Sequence, residues 1–329
     1  MRFARLRRVT TGMVALGFTL SVAAGCGSSS NAKSTNGLEK STILVGQMPV
    51  IDDASLKVAI DKGFFKAEGL TVKTQIIKGG ADSIPALKSG RMDFSFGNYV
   101  SYFLAEASHA IDLRVVSDAY AIGPGTHVIL VPKNSPIHSP KDLAGKKIGV
   151  NTKKNLSTIL LHAGMKPYGV DLDEAKNSTE LAFPEMENAL KSGVVQAAQT
   201  VEPFSTQIQK SIGARPVLDL SQGPTADFPA GGYVVTESFL KKNPKTVAAF
   251  QRAIAKAQAA LADRKVLQQV IPTYTNIPTS TVPSLHYGTY PTSISATRLQ
   301  RVADVMQQFG YLSAPLDVKQ LIAQVPAGK

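Results

Sequence analysis

Apolar runs of strand length alternate with stretches of helical periodicity along most of this chain. Residues 41–48 (STILVGQM) read as a buried strand. Residues 53–70 then predict one helix, with Leu56, Ala59, Ile60 and Phe64 on one face and Gly69 at its C-terminal stop. Residues 71–78 alternate as a strand, 82–90 predict a short helix capped by Asp82, and 92–97 predict a third strand. A helix over 99–109 and a strand over 113–120 complete this half.

The pattern starts afresh at 127–135, a strand running into polar residues. Ser139-Pro140 reads as an N-cap with proline at the first helical position. Strands are expected at 146–150, 180–183, 194–201, 215–221 and 231–238, with helices at 155–169, 185–193 and 202–213. A long helix from Pro244 to about Leu267 carries Val247, Phe250, Ile254, Ala257 and Leu261 at helical spacing. A helix over 296–310 and a short one near Val318 end the chain. Strands alternating with helices argue an α/β fold built on mainly parallel sheets. Two such halves, each opening on its own strand, predict two lobes. Glycine-bearing segments at 121–129 and 229–236 are the expected crossings between them, a hinge if the lobes move.

The first 25 residues stand apart. Arg2, Arg5, Arg7 and Arg8 precede an apolar run, Val9 to Val22, and then the small residues Ala23, Ala24 and Gly25. A basic start, a short apolar middle and small residues before a cut make an export leader. The run falls short of the ~20 residues that a spanning helix needs. Arg7-Arg8 hints at twin-arginine export, but Val9, Thr10 and Thr11 fit that motif poorly. The one cysteine, Cys26, follows Ala-Ala-Gly directly, which resembles the lipobox of bacterial lipoproteins, with Ala23 where leucine is usual. That resemblance implies lipidation of Cys26 and a membrane anchor, whereas a buried core cysteine would sit among apolar neighbours. Residues 26–40, rich in Gly, Ser and Asn, read as a flexible tether. The expected organisation is a leader at 1–25, a tether at 26–40, a first lobe at 41–125 and 237–329, and a second at 126–236.

The formal net charge is +12, a third of it carried by the four leader arginines. The remaining basic residues are scattered without interleaved aromatics, so no clustered face for nucleic acid is formed. A mild positive excess suits an anionic ligand or an anionic envelope. Catalytic signatures are missing from the sequence. The five histidines lie far apart with no His-x-x-x-His pair, no Gly-x-Ser-x-Gly elbow follows a strand, and no phosphate loop or dinucleotide fingerprint is present. No cofactor or metal is expected. The acids Asp52-Asp53 could serve as an acid and base, but before a helix they read better as N-terminal caps.

What recurs is a strand-to-helix junction of small or polar residues: 48–50, 79–81, 97–99, 151–155 and 200–203. In open α/β sheets ligands bind beyond the carboxyl ends of strands, where helix starts offer free N–H groups and favour anions. The segments AIDKGFFKAEGLTV, PALKSGRMDFSFGNY, DLAGKKIGVN and ALKSGVVQAAQTVEPF, continued by GGYVVTESFLKKNPKTVAAFQRAI, resemble solute-binding proteins of ABC importers. The branch is the one serving nitrate, alkanesulfonates, taurine and thiamine pyrimidine precursors, and the likeness runs from about Thr42 to Leu261.

That resemblance implies a two-lobed periplasmic-binding-protein fold of type II, with mixed sheets flanked by helices, that closes on a ligand and docks to permease transmembrane subunits as a monomer. It places ligand contacts at Gln47, Asp52, Gly79, Gly80, Asn98, Asn151, Thr152 and Glu202. Tyr99, at a helix start, is expected to stack on a planar ligand, while Tyr102 and Phe103 fit the core. His127 at the crossing is open between a ligand contact and a hinge hydrogen bond. The chain differs from alkanesulfonate binders at Asn151-Thr152-Lys153-Lys154, where they carry Gly-Ser, and at Gln196, where the branch has Asp. The expected function is a lipid-anchored extracytoplasmic receptor for a small anionic or polar planar solute, sulfonate-like or nitrate-like. The alternative ligand is a thiamine-pyrimidine or other heteroaromatic precursor. The alternative class is a pyrimidine synthase of the same superfamily, whose cysteine-rich segment this chain lacks.

Overall fold

The computed structural model describes residues 37–324; the leader, Cys26 and most of the tether lie outside the described residues. The body begins earlier than the tether reading placed it. Glu39 accepts hydrogen bonds from the backbone N–H groups of Lys245 and Thr246 at 3.2 and 3.0 Å. Lys40 Nζ meets Asp93 Oδ1 at 2.7 Å. Residues tied in this way belong to the fold.

β1 (Thr42–Gln47) runs through a 3-10 turn at Ile51–Asp53 into α1 (Ala54–Asp61). The helix expected over 53–70 breaks after α1, because Gly63 takes φ 71°, a left-handed conformation open to glycine. α2 (Phe64–Ala67), β2 (Thr71–Ile76), α3 (Gly80–Lys88), β3 (Phe94–Asn98), α4 (Tyr99–Ala107) and β4 (Leu113–Ala121) follow. Asp82 lies inside the first turn of α3 instead of capping it, and its carboxylate accepts from Lys78 N.

The chain continues through β5 (His127–Val131), β6 (Ile148–Val150), α5 (Leu156–Met165), α6 (Glu174–Asn177), β7 (Ser178–Glu180), α7 (Met186–Lys191), β8 (Ala197–Val201), α8 (Phe204–Ile212), β9 (Arg215–Asp219) and β10 (Pro229–Thr236). Ser139-Pro140 opens a 3-10 turn, not a longer helix. The strand expected at 180–183 forms two residues earlier, since Pro184 lies in a 3-10 turn. Gln196 Oε1 accepts from Lys147 N at 3.0 Å, a contact of the scaffold. Last come α9 (Glu237–Lys242), α10 (Pro244–Ala260), α11 (Arg264–Val270), α12 (Pro272–Thr275) and α13 (Ala296–Gln308). The long helix expected to about 267 stops at 260, and the Asp263 carboxylate caps α11 through Lys265 N at 2.9 Å.

Among the described residues these strands make two five-stranded sheets of the same design, β2-β1-β3-β10-β4 and β7-β6-β8-β5-β9. In each sheet the first three strands are parallel and the fourth is antiparallel to both neighbours. That fourth strand is the one the chain enters from the other half: β5 after the crossing at 122–126, and β10 after the crossing at 220–228. β10 therefore belongs with the first sheet, a correction to the expected second lobe of 126–236. The α10 face read from the sequence packs on the first sheet, where Phe250 stacks on Phe94 at 4.1 Å and meets Tyr233 edge-on at 5.4 Å.

Candidate functional site

The carboxyl ends of the parallel strands of both sheets converge on one cavity. The first sheet supplies Met48 and Val50 after β1, Asp52 in the turn, Phe96 and Asn98 at the end of β3, and Ala230 from β10. The second supplies His127 from β5, Asn151, Asn155, Leu156 and Ser157 around the start of α5, Phe183, and Val201 at the end of β8. The two halves touch directly beside it. Ile51 N donates to Glu202 O at 3.3 Å, and Asn151 Nδ2 donates to Lys78 O at 3.3 Å. The free space is about 40 Å³, room for a few waters.

Two asparagines prepare the helix starts. Asn98 Oδ1 accepts from Ser101 N at 2.9 Å, and Asn155 Oδ1 accepts from Ser157 N at 2.9 Å. Asp52 is only 7% exposed, and its Oδ1 has no hydrogen-bond partner. Burial pushes its carboxyl up to about 7. His127 is buried as well, which pushes its imidazole down to about 3 and leaves it neutral. Its Nδ1 lies 3.1 Å from Thr126 Oγ1.

Of the residues picked out in the sequence, Asp52, Asn98, His127 and Asn151 meet at this cavity. Gly79, Asn151 and Thr152 line a second hollow of about 300 Å³ at the rim, where a Cβ on Gly79 would come within 3.2 Å of Asn151 Oδ1. Gly80, at the start of α3, packs against the end of β3: a Cβ on Gly97 would lie 2.6 Å from Gly80 Cα. Gln47 is buried with Nε2 unpartnered, behind the wall and not on it. Tyr99 does not reach the cavity. It is fully buried, and its hydroxyl donates to Asp118 Oδ1 at 2.8 Å. Tyr102 and Phe103 are in the core, as their spacing implied.

Glu202 is likewise occupied within the scaffold, accepting from Thr206 Oγ1 at 2.7 Å and from His286 N at 3.1 Å. Neither Asp52 nor Asp53 caps α1 through its side chain. Asp53 accepts from Met48 N at 3.0 Å and from the Tyr233 hydroxyl, tying the end of β1 to β10. Phe96, Phe183, Asn155 and Ser157 were not picked out as contacts. Asn155 alone carried a signal, as a cap residue directly before an apolar helical run.

A wider groove of about 610 Å³ lies at the opposite end of the first sheet, among Lys40, Lys88, Asp93, His109 and Lys242. Its buried acid, Asp93, is already matched by Lys40 and by Leu44 N.

The sequence profile described as NMT1/THI5 like matches residues 51–264. The chain belongs to the NMT1/THI5-like family. This NMT1/THI5-like chain is 28% identical over 210 residues to YtlA of Bacillus subtilis (strain 168), which covers 62% of the chain and 61% of YtlA. It is 26% identical over 232 residues to the 4-amino-5-hydroxymethyl-2-methylpyrimidine phosphate synthase THI11 of Saccharomyces cerevisiae, covering 67% of the chain and 66% of the synthase. The chain thus spans somewhat under two thirds of the length of these curated relatives. Among solved structures, the alkanesulfonate-binding protein SsuA from Xanthomonas axonopodis pv. citri bound to MOPS superposes with a TM-score of 0.72 at 18% identity, over 86% of this chain and 98% of SsuA. The nitrate-binding protein NrtA from Synechocystis PCC 6803 gives 0.71 at 14% identity, over 86% and 85%. The NMT1/THI5-like chain shares with them the α/β periplasmic-binding-protein fold. No helix among the described residues is long and apolar enough to cross a membrane.

Proposed function

We propose that this protein is an extracytoplasmic solute receptor of an ABC importer. It captures one small polar, planar molecule between its lobes and hands it to a membrane permease. The observation that carries this reading is the convergence of strand ends and helix starts from both sheets on one cavity, with the buried, unpartnered Asp52 Oδ1 in its wall. Capture would stabilise the closed arrangement through contacts to both halves at once. Covalent chemistry is not required of any residue in the wall. The solved neighbours bring alkanesulfonates and nitrate as ligand chemistry, and the synthase relative brings a substituted pyrimidine; the apolar wall of Phe96, Leu156 and Phe183 favours the second. The lipid anchor at Cys26 and the monomeric state belong to the same proposal.

Native mass spectrometry of the protein as purified tests the reading, followed by a thermal-shift screen over sulfonates, nitrate, aminopyrimidines, flavins and aromatic acids. A retained or added small molecule should raise the melting temperature by mass action. A protein that retains nothing and shifts with none of these classes is not such a receptor. For the anchor, Cys26→Ser should leave the membrane fraction; persistence there would refute it.

A further inference from the structure

Resting on the reading of the cavity as the binding site, we propose that Asp52 selects ligands by charge. The site accepts small planar solutes that present N–H donors, uncharged or cationic, and turns anions away.

The first support is the wall itself, which among the described residues contains no lysine or arginine and one carboxyl, Asp52, with Oδ1 buried and unpartnered. The second is the hydrogen-bond direction at His127. The single hydroxyl hydrogen of Thr126 goes to Gly123 O at 2.7 Å, so Thr126 Oγ1 accepts from the proton on His127 Nδ1. That leaves His127 Nε2 as a bare acceptor, without a partner among the described residues. The third is that the helix starts are already capped. One first-turn N–H at each start, that of Ser101 and of Ser157, is taken by the side-chain oxygen of Asn98 and of Asn155, whose own amide NH₂ groups are left as donors. A ligand therefore meets two acceptors and two neutral amides between apolar faces. An anion would sit against a buried carboxyl with no cation to offset it.

The groups packed around Asp52 do not change this. Asp53 is held by Tyr233 and Met48, burial raises Tyr120, Tyr274 and Tyr290 well above the ordinary tyrosine range, and His127 is neutral. Burial places the Asp52 carboxyl at about 7, so a donor ligand that needs the ionised form binds with release of its proton.

Calorimetry and thermal shift with 2-aminopyridine, benzamidine, benzenesulfonate and nitrate test the selection. The first two should bind the wild-type protein, with benzamidine about tenfold weaker at pH 6 than at pH 8. Asp52→Asn, isosteric and uncharged, should weaken both by tenfold or more and admit benzenesulfonate. If benzenesulfonate or nitrate binds the wild-type protein and compacts it in solution scattering, the receptor reading stands and the charge selection is overturned. If benzamidine binds equally well at both pH values and to Asp52→Asn, the role of Asp52 falls. Absence of binding by all four, with no compaction, overturns both.

Discussion

Tyr311→Phe should shift the lobes toward the open state. Tyr311 follows α13, which packs against α4 and β10 of the first sheet, yet its hydroxyl contacts the second half. It donates to Glu174 Oε1 before α6 is a turn old, and it lies 2.7 Å from Thr158 Oγ1 in the first turn of α5. Glu174 also meets His162 Nε2 at 3.1 Å, and the His162 ring stacks on Phe309 at 5.8 Å. A hydrogen bond to a charged group contributes ~1.5–3 kcal/mol, and partial exposure brings this one to about 1–2 kcal/mol. If the bond exists only in the closed form, its loss lowers the closed-to-open ratio roughly 5- to 30-fold. The body holds no cysteine after Cys26, so spin labels can be placed at Lys73→Cys and Lys141→Cys, on opposite halves, in a Cys26→Ser background. Double electron–electron resonance on the ligand-free protein should show the long-distance population growing in Tyr311→Phe. An unchanged distance distribution, with a lower melting temperature, would mean that the contact braces the fold and takes no part in closure.

The same clasp has a pH limit. Burial pushes Glu174 upward, but hydrogen bonds from His162, Tyr311 and Lys154 N outweigh it and hold the carboxyl down to about 2. A depressed carboxyl contributes stability that is present above its unfolded range and is lost as pH falls through 2, so the label distances should lengthen between pH 4.5 and 2 and stay constant from pH 5 to 7. His127 and Asp52 oppose each other in between. The lowered imidazole loses stability as pH falls from 6.5 toward 3, and the raised carboxyl loses it as pH rises through 7. Asp53 and Asp118, also raised by burial, act in the same direction as Asp52, so urea melts from pH 4 to 6.5 should fall more steeply with rising pH in His127→Gln than in the wild type; equal slopes contradict the assignment. Phe250→Ala, which empties the centre of the first sheet's core, should cost about 3–5 kcal/mol in urea unfolding, and a loss under 1 kcal/mol would mean that the core refills.

Element type was legible wherever local periodicity decided it, as in α4, α5 and the core face of α10. The sheet to which β10 belongs was not. Its apolar run would suit either sheet, and only hydrogen bonding to β3 and β4 assigns it. Helix breaks at Gly63 and Asp263 passed unseen because the apolar stripe continues across them. Of the residues to which the rule that ligands lie beyond strand ends pointed, Asp52, Asn98, His127 and Asn151 line the cavity. Tyr99 and Glu202 do not, since the side chains that satisfy them, Asp118 and Thr206, become neighbours through tertiary packing or a helical turn whose direction sequence does not fix. Phe183 follows a different strand from any glycine-marked junction and carried no signal of its own.

Closure of two lobes around one solute is the central claim, and small-angle X-ray scattering tests it most directly. The protein is measured free and saturated with the molecule that gives the largest thermal shift. A smaller radius of gyration on saturation, with the interlobe peak of the distance distribution moving inward, is the predicted result. Superimposable profiles for free protein and for protein saturated with a molecule that binds would contradict it.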